Sequence, residues 1–299
     1  MRLIPTSLML LVAGLVICFL AESSADSQAS VSVEVEEHGS ISDEEFEQHV
    51  TDLKTWIPRG FKVFIQKPFV VIGNDSKQEV RRRARGTVKW AVEHLKKDYF
   101  AKDPDHIIDI WIFRDGPSYR KFAKELFGHT PDTPYGYYSE SDKAMIMNIG
   151  TGGGTLIHEI VHPFMAANFP NCPPWFNEGM GSLYEHSGFR NGSIWGLTNW
   201  RLTGLRQAIR RNMVPSFEVL MSQNEHQFYE QDPGTNYSQS RYLLQYMQEK
   251  RLLKRYYHEF LANRHADPSG FETLKRVLGT DDMDAFKKKW QRWVRKLKR

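Results

Sequence analysis

Thr155-Leu156-Ile157-His158-Glu159-Ile160-Val161-His162 decides how the rest of this 299-residue chain is read. Two histidines four apart on a helix are separated by about 40° around the axis and one turn along it, so both imidazoles can point at one metal ion. Glu159 projects beside them. The apolar Leu156, Ile157, Ile160 and Val161 bury the rest of the helix, and dry walls strengthen metal–ligand attraction and hold the ligands in place. With 11 His in the chain, chance places H-E-x-x-H in roughly one comparable sequence in forty, so its neighbours must decide the matter.

Downstream, after Pro170, Pro173 and Pro174, comes Trp175-Phe176-Asn177-Glu178-Gly179, an acidic residue on a second helix that can return antiparallel to the first. Two His and one Glu leave a tetrahedral zinc with one open position for water, the pattern of a catalytic rather than a structural site. Ser182, one turn after Glu178, is placed to support a ligand histidine from behind.

Upstream, the chain alternates strand and helix signals. The apolar runs at 61–65 and 69–72 suit a hairpin, and Ser76 with Glu79 forms a capping box that opens a helix. Val80, Ala84, Val88, Ala91 and Leu95 make one buried stripe of that helix, and Ile108, Ile110 and Ile112 alternate as a half-buried strand. Tyr119, Phe122, Ala123 and Leu126 mark a short helix. Runs at 135–138 and 144–148 complete a small sheet, which ends in the glycine turn at 150–154. That turn lacks the Gly-Lys-Ser/Thr ending of a phosphate loop. The fold expected is α+β: a small mixed sheet with the zinc-binding helix, followed by a mainly helical C-terminal half.

The ends have their own character. Arg2 and the apolar residues 8–20, followed by the small Ser23-Ser24-Ala25, read as a secretory signal cut after about Ala25. Thirteen apolar residues fall short of the roughly 20 that span a bilayer, which leaves an uncleaved anchor as the lesser alternative. Removal of Cys18 with the signal leaves Cys172 alone, so stability must come from packing and not from an internal disulfide. The N-x-S sequons at Asn74, Asn191 and Asn236 are read as chance. Residues 26–55, rich in Glu and Ser, are expected as a disordered acidic linker. Phe286, Trp290, Trp293, Val294 and Leu297 share one face of a terminal helix whose other residues include eight Lys and Arg. Such a helix docks through its aromatics, and its basic face could make weak contact with an anionic surface. No nucleic-acid reading motif accompanies these charges. The domain plan expected is signal 1–25, linker 26–55, an α+β half at 56–190 and a helical half at 191–299.

His158-Glu159-x-x-His162 together with Trp175-Phe176-Asn177-Glu178-Gly179 resembles the gluzincin zinc metallopeptidases, the peptidase MA-like group. In that group the Glu of a W-[LF]-N-E-G helix is the third zinc ligand. Tyr237-Ser238-Gln239-Ser240-Arg241-Tyr242-Leu243-Leu244 is similar to the Y-x-x-G-x-x-L-L segment of the aminopeptidase branch, whose first Tyr donates to the oxyanion. The resemblance implies one Zn²⁺ on His158, His162 and Glu178, with Glu159 and Tyr237 catalytic, and a peptide or protein substrate. Tyr242 and Tyr246 compete with Tyr237 for its role.

No G-x-M-E-N motif for gripping a free α-amine precedes the zinc helix, which points to endopeptidase action. The strand at 144–148 is then the edge on which an extended peptide could lie. Pro163, directly after the second ligand, removes a backbone donor and should kink or end the helix near His162. Gly181 stands where Ala is more usual after such a Glu-Gly pair, and the sequence assigns it no role. The alternative function is a non-catalytic metal-binding scaffold or adhesion module. Retention of Glu159 argues against it, because a binding-only site needs no base.

Overall fold

The structure, a computed structural model, describes residues 41–232 and 234–298. The expected signal at 1–25 and the first part of the acidic stretch lie outside the described residues. Expected as linker, Asp43–Trp56 instead forms helix α1. The Ser42 hydroxyl accepts from Glu45 N–H at 3.2 Å, and the Glu45 carboxylate accepts from Ser42 N–H at 2.7 Å, which satisfies two donors that the helix start leaves open. Phe46 and Leu53 on its inner face are buried.

Strands β1 (Lys62–Gln66) and β2 (Phe69–Gly73) form the expected hairpin. Helix α2 (Lys77–Arg83) runs through a π-helical stretch at Ala84–Lys89 into α3 (Trp90–Asp98), with the predicted stripe buried throughout. Next come β3 (Ile108–Phe113), α4 (Gly116–Phe127), β4 (Gly136–Ser139) and β5 (Ala144–Asn148). The mixed sheet has the order β1-β2-β3-β5-β4. Its inner pairs β2–β3 and β3–β5 are parallel and its outer pairs antiparallel.

Two expectations are corrected here. All of β3 is buried, not one alternating face. Ile110 and Ile112 meet the core that includes α2, α3 and the helices beyond, while Trp111 and Phe113 are covered from the other side by α1 and α4. The unexpected α1 supplies part of this cover through Phe46 and Leu53, and His49 Nε2 to Asp109 Oδ1 at 2.8 Å ties it to β3. Residues 144–148 are not an edge, because β5 is paired on both sides. The outer strand is β4.

Helix α5 (Gly154–Asn168) carries the H-E-x-x-H residues, and α6 (Pro174–Tyr184) returns beside it. Pro163 does not end α5, which continues for five residues beyond it. The Pro ring leaves the Glu159 carbonyl without its helical donor, but burial of Phe164 and Met165 anchors the last turn. The start of α5 touches the end of α6 so closely that a Cβ on Gly154 would stand 2.4 Å from the Glu185 carbonyl oxygen. Backbone cannot yield there as a flexible side chain would. Gly154→Ala should therefore destabilise the protein by about 1–3 kcal/mol, seen as a lowered denaturation midpoint; an unchanged midpoint would contradict this contact.

The hairpin β6 (Ser187–Arg190) and β7 (Ser193–Gly196) follows, and its turn holds the 190/191 boundary drawn from sequence. Beyond it the chain is helical: α7 (Arg201–Arg210), α8 (Phe217–Met221), α9 (Glu225–Tyr229), α10 (Asn236–Glu249), α11 (Leu253–Asn263), α12 (Phe271–Leu278) and α13 (Met283–Lys296). α6 lies between α5 and α10 and is buried almost end to end. The basic helix α13 docks through Phe286, Trp290 and Val294, with Trp290 Nε1 donating to the Tyr242 carbonyl at 3.0 Å. The described residues form one compact unit. Among them no helix is long and apolar enough to cross a membrane.

Candidate functional site

The antiparallel pair α5 and α6 brings together His158 and His162 from one helix and Glu178 from the other. One ligand atom from each lies within 4.8 Å of the other two. His158 Nε2 meets Glu178 Oε2 at 3.0 Å, and His162 Nε2 stands 4.0 Å from Glu178 Oε1. A four-coordinate divalent ion with bonds of about 2.1 Å spaces its ligands about 3.4 Å apart, a value these two separations straddle. The three residues could hold a metal ion once their ligand atoms, now within 4.8 Å of one another, draw in around it, and the neutral-imidazole and carboxylate donors suit zinc and other borderline divalent ions.

Each imidazole is oriented from behind. His162 Nδ1 meets Asn177 Oδ1 at 3.0 Å, which turns Nε2 toward Glu178. His158 Nδ1 faces Glu185 Oε2 at 3.7 Å, and Arg201 grips both oxygens of Glu185 at 3.1 Å. Ser182, expected in this supporting role, is buried with Oγ unpartnered, and only its carbonyl is engaged, by Arg241 Nε at 2.9 Å. Glu185 takes the place instead. Seven residues after Glu178 is nearly two full turns, so both carboxylates lie on one face of α6. The His158 ring lies between them over Gly181, where a Cβ would come within 3.0 Å of the imidazole. A methyl there would push the ring back by a few tenths of an ångström.

The charges follow from burial and pairing. Burial alone would lower His158 and raise the two carboxyls, but the mutual contacts outweigh it. His158 is raised to about 10. Glu178 is lowered to about 2 by His158, with His162 and Tyr229 adding to the effect. Glu185 is likewise lowered to about 2, by His158 and Arg201. Without a metal, the site holds a buried imidazolium between two carboxylates. A metal ion would have to displace the His158 proton.

Glu159 is half-buried beside the cluster and makes no side-chain hydrogen bond among the described residues. Tyr237 is half-buried, and burial followed by the charge on Glu178 pushes its phenol up. Its sequence rivals are occupied elsewhere. The Tyr242 hydroxyl bonds the Asn199 backbone, and Tyr246 packs on Phe286 and Trp293. Tyr229 was not singled out from sequence, yet its hydroxyl donates to Glu178 Oε1 at 2.9 Å. It ends a five-residue helix with no motif of its own, so no local signal marks it. Compared with protein-family models and with curated proteins, the chain matches none.

Proposed function

We propose that the chain is an exported zinc-dependent metallopeptidase of the gluzincin type, acting within peptide chains rather than at a free amino terminus. The observation that carries the proposal is the convergence of His158, His162 and Glu178, with the carboxylate of Glu159 on the residue between the two histidines. These three would hold Zn²⁺. When bound, such an ion polarises a carbonyl and makes water acidic enough to attack at neutral pH. Glu159 takes a proton from the attacking water and passes it to the leaving amide nitrogen. Tyr237, kept protonated by burial and by the charge on Glu178, donates a hydrogen bond from its hydroxyl to the developing oxyanion. An extended substrate could lie along the outer edge of β4, which no other strand pairs among the described residues and which α5 contacts.

The test is metal analysis of the purified mature protein together with hydrolysis of a generic peptide pool. Zinc at one ion per chain and cleavage within peptides are the expected results. Bound zinc with no cleavage of any peptide would leave a metal-binding scaffold. The two tyrosines separate by readout. Tyr237→Phe should lower kcat by about a hundredfold with metal retained. Tyr229→Phe should weaken metal binding by about tenfold through Glu178. Equal, small effects on both quantities would remove Tyr237 from the reaction.

A further inference from the structure

We propose that the cavity between the β6–β7 hairpin and the α10–α11 turn binds a small organic anion, one carboxylate or phosphate group on an apolar body. The cavity encloses about 470 Å³, within the range of small-ligand sites, and shares no residue with the metal cluster. Tyr99, Ile194 and Trp195 give it apolar walls, and Arg190, Arg251 and Lys254 bring positive charge. The hairpin register builds part of this. Gly188 pairs with Trp195 and Arg190 with Ser193, and alternate residues of a strand share a face, so Arg190 and Trp195 project together. The Arg190 guanidinium lies 5.0 Å from the Trp195 ring centroid. Stacking occupies its flat face and leaves its N–H edges to fork an anion.

The charges are unbalanced. Among the described residues no carboxylate lines the cavity. The neighbouring Asp98 is buried and committed, one oxygen to Lys254 Nζ at 2.6 Å and the other to Ile194 N–H at 3.1 Å. Arg190 and Arg251 have no carboxylate partner among the described residues, so a ligand bearing negative charge is what complements them.

Arg251 adds a second, independent observation. It closes α10 with φ +58°. Its N–H bonds the Gln248 carbonyl at 2.9 Å, and Leu252 N–H bonds the Met247 carbonyl at 2.8 Å. This is the left-handed helix ending in which glycine is the default, because a Cβ is strained there. Among the described residues, asparagine fills three of the other four left-handed non-glycine positions and tolerates them. A long cation at a glycine position beside an unpaired arginine places function above local stability.

The experiment uses the full chain in calorimetric titrations at fixed ionic strength, with and without chelator. The probes are 3-phenylpropanoate, phenyl phosphate, inorganic phosphate and neutral benzyl alcohol. Saturable binding of an organic anion, tighter than inorganic phosphate or the alcohol and unaffected by chelator, is expected. Arg190→Gln and Arg251→Gly should each weaken it about tenfold, and Arg251→Gly should leave Tm unchanged or raised. The proposal is overturned if no organic anion binds, if inorganic phosphate or the alcohol binds as well, if chelator abolishes binding, or if both variants bind as the native chain does.

Discussion

Glu159→Gln should keep its metal at the native stoichiometry and lose peptide hydrolysis by about 10²- to 10⁴-fold. The amide matches the carboxylate in size and leaves the donors of His158, His162 and Glu178 in place, so binding is spared. What it cannot do is accept a proton at neutral pH. Glu159 has no structural duty that would confound the result, since its side chain makes no hydrogen bond among the described residues. Metal analysis and single-turnover cleavage of the same sample decide it. A variant that cleaves at the native rate would sink the assignment of Glu159 as base.

Glu178→Ala should have the largest effect on the site itself. It removes one of the three proposed ligands and should weaken metal binding by more than about a hundredfold, beyond the loss that a supporting residue causes. In the metal-free protein it also strips His158 of its closest counter-charge. Removing one member of a buried ion pair costs about 3–5 kcal/mol, measurable by chemical denaturation in chelator. The native metal-free protein should show two pH limbs. The carboxylate contribution of Glu178, lowered to about 2 from 4.5, is full above pH 4.5 and lost as pH falls toward 2. The imidazolium contribution of His158, raised to about 10 from 6.5, is full below pH 6.5 and lost as pH rises toward 10. Stability from this pair is therefore greatest between about pH 4.5 and 6.5, and the variant should weaken both limbs, leaving the part that Glu185 contributes through His158 and Arg201. Metal binding near pH 7 should release the His158 proton, so apparent affinity rises with pH. Proton-neutral binding at pH 7 would show that His158 is already deprotonated.

The metal cluster was readable because most of it is local. His158 and His162 share a helix face by period alone, and Glu178 stands on a helix marked by the prolines before it. The sheet was readable through its apolar runs, and the long helix through the stripe from Val80 to Leu95. α1 was missed although Ser42 and Glu45 spell a capping box and Phe46, Val50 and Leu53 recur at helical spacing. The acidic composition of the segment outweighed that signal. With α1 unseen, β3 read as half-exposed; β5 read as an edge because its parallel pairing with β3 joins residues far apart in the chain. Ser182 was expected in the supporting role because it is one turn from Glu178. The longer side chain two turns away is the one that reaches the second nitrogen of His158.

Sequence alone determined that His158 and His162 share one helix and Glu178 stands on another, because periodicity acts over a few residues. Only the tertiary structure decided that Glu185 and Arg201 stand behind His158, that Tyr229 reaches Glu178, and that β4 rather than β5 bounds the sheet. Those relations join residues far apart in the chain, and close packing of α5 against α6 and of α6 against α10 sets them.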